Sequence, residues 1–154
     1  MRLILTALLL LPLAAFAQVK GEDAASRTTV AAFATCTAAG GKPQSTVGYL
    51  SKVEINQDGK FDVVLDLGRL SCVGARDQPF CNADGCELRV FVSGKDGLQQ
   101  VLETRARHWS ATVQGSRVGL TLQQAGAACE PHAPQGCERR LVWTGQAFAD
   151  APPR

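Results

Sequence analysis

The sequence predicts an α+β domain in which strands dominate: one N-terminal helix packed on an antiparallel sheet of hairpins, with three disulfides. Three observations predict it. One alanine-rich segment has apolar residues at helical spacing, several later segments alternate apolar and polar residues, and six cysteines follow the start of the chain. The turns between the strands are short, and short turns join antiparallel neighbours.

The first 17 residues have the features of a secretory signal peptide. Arg2 provides a positive charge, an apolar run covers residues 3–16, and Ala15-Phe16-Ala17 is a small-x-small cleavage site. The apolar run is shorter than the roughly 20 residues of a membrane-spanning helix. The sequence therefore predicts that residues 1–17 are removed before Gln18.

Cleavage would leave 137 of the 154 residues, enough for one domain over residues 18–149 with a frayed tail over residues 150–154. The net charge of +2 falls to +1 without Arg2, so the domain has no basic field for nucleic acid. We expect a periplasmic or secreted protein without a transmembrane segment after cleavage. Its partner, an envelope protein or a glycan, is not specified by composition.

All six cysteines lie in the mature part, and an even number in an exported chain predicts disulfides. Sequence alone leaves their connectivity open. Turn-rich segments favour two short pairs, Cys81 with Cys86 and Cys129 with Cys137, and leave Cys36 with Cys72. Zinc is the rival interpretation, but the spacings of four and seven residues differ from paired C-x-x-C ligands.

The helix is predicted over residues 22–38, because Val30, Phe33 and Ala34 occur at helical spacing and Gly40-Gly41 follow at its end. The clearest strand covers residues 61–67. It predicts a half-buried strand with solvated carboxylates on its outer face. The inward face carries Phe61, Val63, Leu65 and Leu67, and the outward face carries Asp62, Val64 and Asp66. Hairpin pairs follow at residues 87–93 with 98–104, 107–113 with 117–123, and 139–144 with 146–148.

The segment over residues 54–62 is the sharpest candidate site. Oxygen-bearing residues alternate along it and include one backbone carbonyl, in the order Glu54, Asn56, Asp58, Lys60 (carbonyl) and Asp62. Calcium loops use this alternation, so calcium is the one cofactor that the sequence offers. The first ligand is Glu rather than Asp, and the twelfth position is Leu65, where an EF-hand has a bidentate Glu. A plain hairpin with solvated polar side chains is the alternative.

Catalytic motifs are missing, and we predict no catalytic residue. His108 precedes Trp109 in a predicted strand, and His132 lies in a proline-rich loop. The sequence therefore favours a non-enzymatic exported binding domain of unknown ligand. A calcium-stabilised structural module and a small envelope hydrolase are the alternatives.

Several motifs occur in a fixed order: Cys36-x3-Gly40-Gly41, Asn56-x-Asp58-Gly59-x-x-Asp62, Phe80-Cys81-x4-Cys86 and Leu141-x-Trp143-x-Gly145. This order resembles a group of small exported alpha-proteobacterial proteins with six cysteines and a D-x-N-x-D-G-x-x-D-like hairpin. In that group the second cysteine loop reads Cys-Gly-x-Gly-Gly-Cys, and the hairpin begins with Asp. The hairpin alone resembles the calcium loops of FG-GAP repeats. The resemblance implies export and the fold, and it implies no activity.

Overall fold

The computed structural model describes residues 23–114, 117–126, 129 and 136–152. The predicted signal peptide and His132 lie outside these residues. In the described part, one α-helix precedes eleven strands, which confirms the β-dominant α+β class. The elements are α1 (Ala24–Ala38), β1 (Lys42–Ser45), β2 (Leu50–Val53), β3 (Asp62–Asp66), β4 (Leu70–Val73), β5 (Cys81–Asn82), β6 (Gly85–Gly94), β7 (Gly97–Ala106), β8 (His108–Gln114), β9 (Arg117–Gln124), β10 (Cys137–Trp143) and β11 (Phe148–Asp150).

The described strands form three antiparallel sheets. The first main sheet has the order β2-β3-β6-β7, and the short β5 pairs with the beginning of β6. The second main sheet has the order β11-β10-β9-β8. A separate ribbon pairs β1 with β4. Each hairpin predicted from β6 onward is present, because the turn residues lie between strands of matching alternation.

Two hydrophobic cores lie on opposite faces of the first main sheet. On one face, Val63, Leu65 and Phe91 pack with α1. On the other face, Val64 and Val90 pack with apolar residues of the second main sheet, chiefly Leu120, Leu122 and Leu141. The molecule is thus layered as helix, sheet and sheet.

This layering corrects the prediction of a half-buried strand over residues 61–67. Both Asp62 and Val64 on the supposed outer face are fully buried. The strands after residue 107 form a second sheet that covers this face, instead of extending the first one.

Asp23 is the N-cap of helix α1, and its Oδ1 accepts a hydrogen bond of 2.7 Å from the Ser26 amide. This N-cap satisfies one of the free amides of the first turn. The buried face of the helix is built from small residues, Ala25, Ala32 and Cys36. Val30, one of the apolar residues at helical spacing, is 60% exposed.

The three predicted disulfides are present and join Cys36 to Cys72, Cys81 to Cys86 and Cys129 to Cys137. The first ties the end of α1 to β4 with Cα atoms 5.4 Å apart. Three bridges fit an oxidising compartment. No helix in the described ranges is both long and apolar enough to cross a membrane.

Strand β11 continues to Asp150, one residue into the segment predicted as a tail. Arg139 Nε lies 2.6 Å from Asp150 Oδ1, and the Ala151 amide donates to the Arg140 carbonyl at 2.7 Å. These contacts involve Asp150 and Ala151, the first two residues of the segment predicted as a tail.

The bridges differ in the length of chain that they close, with separations of 36 and 5 residues for Cys36–Cys72 and Cys81–Cys86. We expect the double substitution Cys36→Ala with Cys72→Ala to lower the free energy of unfolding by about 4 kcal/mol, because the longer loop restrains the unfolded chain more. The matched control, Cys81→Ala with Cys86→Ala, should cost about 2 kcal/mol. Urea unfolding measures both, and equal losses would contradict the loop-closure explanation.

Candidate functional site

The structure places four of the five candidate metal ligands, Glu54, Asn56, Asp58 and Lys60, in the loop between β2 and β3, and the fifth, Asp62, at the start of β3. Three local hydrogen bonds shape this loop: the Gly59 amide donates to Glu54 Oε1 at 2.9 Å, the Asp58 amide to Asn56 Oδ1 at 3.2 Å, and the Lys60 amide to Asp58 Oδ1 at 2.9 Å. The loop side chains thus bend the backbone around themselves.

Asp62, at the start of β3, is buried in the protein interior, where its carboxylate holds the backbone of this loop. Its Oδ2 accepts hydrogen bonds from the amides of Ile55 at 2.6 Å and Asn56 at 3.2 Å, and its Oδ1 accepts one from the Ser93 amide at 2.8 Å. The side chain is fully buried. The expectation of a solvated carboxylate is therefore wrong, because three backbone donors replace water around the charge.

Ser93 of β6 connects the loop to the first main sheet. Its hydroxyl donates to Asp58 Oδ2 at 2.9 Å, and its carbonyl accepts from Asn56 Nδ2 at 2.9 Å. Desolvation opposes ionisation of Asp58, but the hydrogen bonds from Lys60 and Ser93 outweigh it and lower the pKa of this carboxyl. These contacts make the loop a hydrogen-bonded hairpin anchored at Ser93.

Calcium binds six to eight oxygen ligands in proteins. With Asp62 bonded to three backbone amides, the loop keeps the side chains of Glu54, Asn56 and Asp58 and the carbonyl of Lys60 from the candidate set. Among the described residues, no three His, Cys, Asp or Glu side chains form a group that could hold a metal ion.

A groove with a volume of about 550 Å³ lies between the first half of α1 and the neighbouring face of the first main sheet. We call it the α1–β2 groove. Apolar residues form most of its lining, and four polar residues complete it. The apolar ones are Ala25, Val30, Leu50, Phe61, Val63 and Leu98; the polar ones are Asp23, Ser26, Thr29 and Lys52.

Three large apolar side chains remain exposed in the α1–β2 groove. Phe61 is 67% exposed, Val30 60% and Leu50 46%. The sequence pattern predicted that Phe61 would lie on the inward face of its strand. Phe61 and Val30 are both exposed, because α1 packs chiefly against β7 and β1 and leaves the β2 side of the sheet uncovered.

Lys52 places a positive charge on the rim of the α1–β2 groove. Its Nζ lies 5.7 Å from the centroid of the Phe61 ring. This distance is within the range of a cation–π contact. Lys52 forms no ion pair with any residue in the described part of the chain.

A smaller cavity of about 240 Å³ lies where the β2–β3 loop meets the second main sheet, beside Arg117 and Trp143. Trp143 packs edge-on against Phe148 with ring centroids 5.4 Å apart. The indole nitrogen of Trp109 donates to Asp66 Oδ2 at 3.2 Å. Both tryptophans are partly buried and pack against the core between the two main sheets. His108 is exposed at the start of β8.

No protein-family model, curated protein or solved structure matches this chain.

The buried carboxylate of Asp62 generates a stability prediction. We expect Asp62→Asn to lower the free energy of unfolding by about 2–4 kcal/mol, because the amide keeps one acceptor atom and turns an NH2 group toward a backbone donor. Urea unfolding measures the loss. Asp96→Asn, in the exposed turn between β6 and β7, is the matched control and should cost less than about 0.5 kcal/mol. An equally small effect at position 62 would contradict the anchoring role.

The hydrogen-bonded hairpin generates a second prediction. We expect the same melting midpoint in calcium chloride and in chelator, because a ligand must bind the native state to raise that midpoint. Differential scanning calorimetry of the mature protein measures it. A higher midpoint with calcium that disappears in Asp58→Asn would restore the calcium interpretation.

Proposed function

We propose that this protein is an exported, non-enzymatic binding module whose α1–β2 groove holds apolar side chains of a partner protein. The signal-peptide pattern of residues 1–17 and the three disulfides support a periplasmic or secreted location.

One observation carries the proposal: three exposed apolar side chains, Val30, Leu50 and Phe61, lie together in one concave site. A volume of about 550 Å³ is within the usual range of ligand sites. Exposed apolar groups that are collected in a groove mark interaction sites, whereas scattered ones need no explanation.

The energetics favour a partner that also makes contacts outside the groove. Covering the exposed parts of these three side chains would stabilise a complex by about 3–5 kcal/mol. Association costs at least about 4 kcal/mol in lost freedom of movement. The apolar contacts alone thus give weak binding, and a specific partner must add polar or backbone contacts.

The titratable groups of the α1–β2 groove favour binding over catalysis. Asp23 is committed to the N-cap of α1, and Lys52 stands over the Phe61 ring. A hydrolase needs a positioned acid, base or nucleophile within hydrogen-bond reach of its substrate. The groove lining has two charged groups. One is the carboxylate of Asp23, which already accepts a hydrogen bond, and the other is the ammonium of Lys52 on the rim.

Site-specific photo-crosslinking tests the proposal. With benzoylphenylalanine in place of Val30, we expect one discrete adduct in periplasmic extract, and Phe61→Ser in the same protein should reduce its yield at least about fivefold because it removes apolar contact. The matched control places the photo-crosslinker at Val113, which is 75% exposed and lies on β8, away from the groove. Equal adducts from both positions, or turnover of a substrate that Phe61→Ser leaves unchanged, would overturn the proposal.

A further inference from the structure

We propose that the partner binds by β-strand addition to the open edge of β2, with apolar side chains in the α1–β2 groove and an acidic side chain beside Lys52. This inference rests on the proposed function and specifies the chemistry of the partner.

Strand β2 is an edge strand of the first main sheet. Among the described strands it pairs with β3 alone, over Leu50–Val53. An edge strand presents backbone N–H and C=O groups that can pair with another chain. The edge therefore offers the backbone contacts that the groove by itself lacks.

The register shows which residues of β2 present these groups. The Asp66 amide donates to the Tyr49 carbonyl at 2.9 Å, and this pair continues the register of Leu50 with Leu65. Bonded and non-bonded pairs alternate along an antiparallel ladder. Ser51 and Val53 thus direct their backbone groups toward β3, and the residues between them, Leu50 and Lys52, direct theirs toward the open edge.

The side chains of the same two residues face the groove. Leu50 and Lys52 pair with Leu65 and Val63, and these two pack in the core beneath α1. Alternate side chains of an added strand would share this face with them. Backbone pairing at the edge and apolar contact in the groove can therefore be made by one extended segment.

Charge distinguishes a foreign strand from a second copy of this chain. The sequence of β2 is Leu-Ser-Lys-Val, so Lys52 is its only charged residue. Two antiparallel copies paired through the outward residues of β2 would place the two Lys52 side chains directly opposite or diagonally adjacent on one face, which is unfavourable for like charges. Lys52 has no acidic partner among the described residues, so a strand that supplies a carboxylate complements it.

The probe is a fluorescein-labelled peptide, Thr-Val-Thr-Glu-Thr-Val-Thr, in which valines and the glutamate share one face of a strand. Anisotropy titration measures its Kd with the mature protein. We expect a matched peptide with lysine in place of the glutamate to bind at least about tenfold more weakly, because like charges oppose each other across a strand pair. Equal binding of the two peptides would contradict the role of Lys52.

Two substitutions of Lys52 separate the contribution of its backbone amide to peptide binding from that of its charge. Lys52→Gln removes the charge and keeps the amide, and we expect Kd to rise about three- to tenfold. Lys52→Pro also removes the outward N–H, and we expect a further rise of at least about tenfold with an unchanged melting midpoint, because proline is accepted on an open edge. Ser51→Pro is the control for register and should lower the midpoint, since its amide pairs with β3.

The outcomes separate the two proposals. If Phe61→Ser weakens peptide binding but Lys52→Pro binds like Lys52→Gln, strand addition is wrong and the groove remains a binding site. If the peptide does not bind, or palmitate binds in its place, while crosslinking from position 30 persists, strand addition is also wrong. If the protein is a dimer and Lys52→Pro makes it monomeric, the edge of β2 binds a second copy of this chain. The proposal of a foreign acidic strand is then wrong.

Discussion

The buried carboxylate of Asp62 fixes the arrangement of the loop, the first main sheet and the groove. It accepts amides from Ile55, Asn56 and Ser93, and so joins the residues after β2 to β3 and β6. Because side chains alternate along a strand, turning Asp62 toward the second sheet directs Phe61 and Val63 toward the helix side. A slip of one residue would reverse every side chain of β3 and bury the wrong face. The position of Phe61 in the α1–β2 groove is thus a consequence of the hydrogen bonds that hold the Asp62 side chain.

Local patterns in the sequence were sufficient for the fold class, the helix, most hairpins and the number of disulfides. These features depend on residues that are close in the chain, such as the turn residues between β6 and β7. The division of the strands into two stacked sheets depends on contacts between distant residues, and the alternation of β3 carries no information about it. An Asp-x-x-x-Asp pattern resembles a solvated face, and one of the three donors to the buried Asp62 comes from Ser93, 31 positions away. No pattern of neighbouring residues in the sequence indicates such a distant partner.

The candidate site was only partly accessible from the sequence. The polar loop over residues 54–62 was found, since its alternation is visible, but its role depends on the direction in which Asp62 turns. The α1–β2 groove was missed. Val30 and Phe61 have the spacing of core residues, and periodicity describes which side chains share a face without saying what covers that face. The buried face of α1 is made of the small residues Ala25, Ala32 and Cys36, and the spacing of apolar residues indicates neither their burial nor the exposure of Val30.

The order of the bridges bears on how the protein matures. Each disulfide joins one cysteine to the next in the chain: first with second, third with fourth, and fifth with sixth. A polypeptide that emerges from a translocation channel with its N-terminus leading exposes these thiols in the same sequence. If the chain is exported as proposed, a dithiol oxidase that joins each cysteine to the next one to emerge would form the three native pairs.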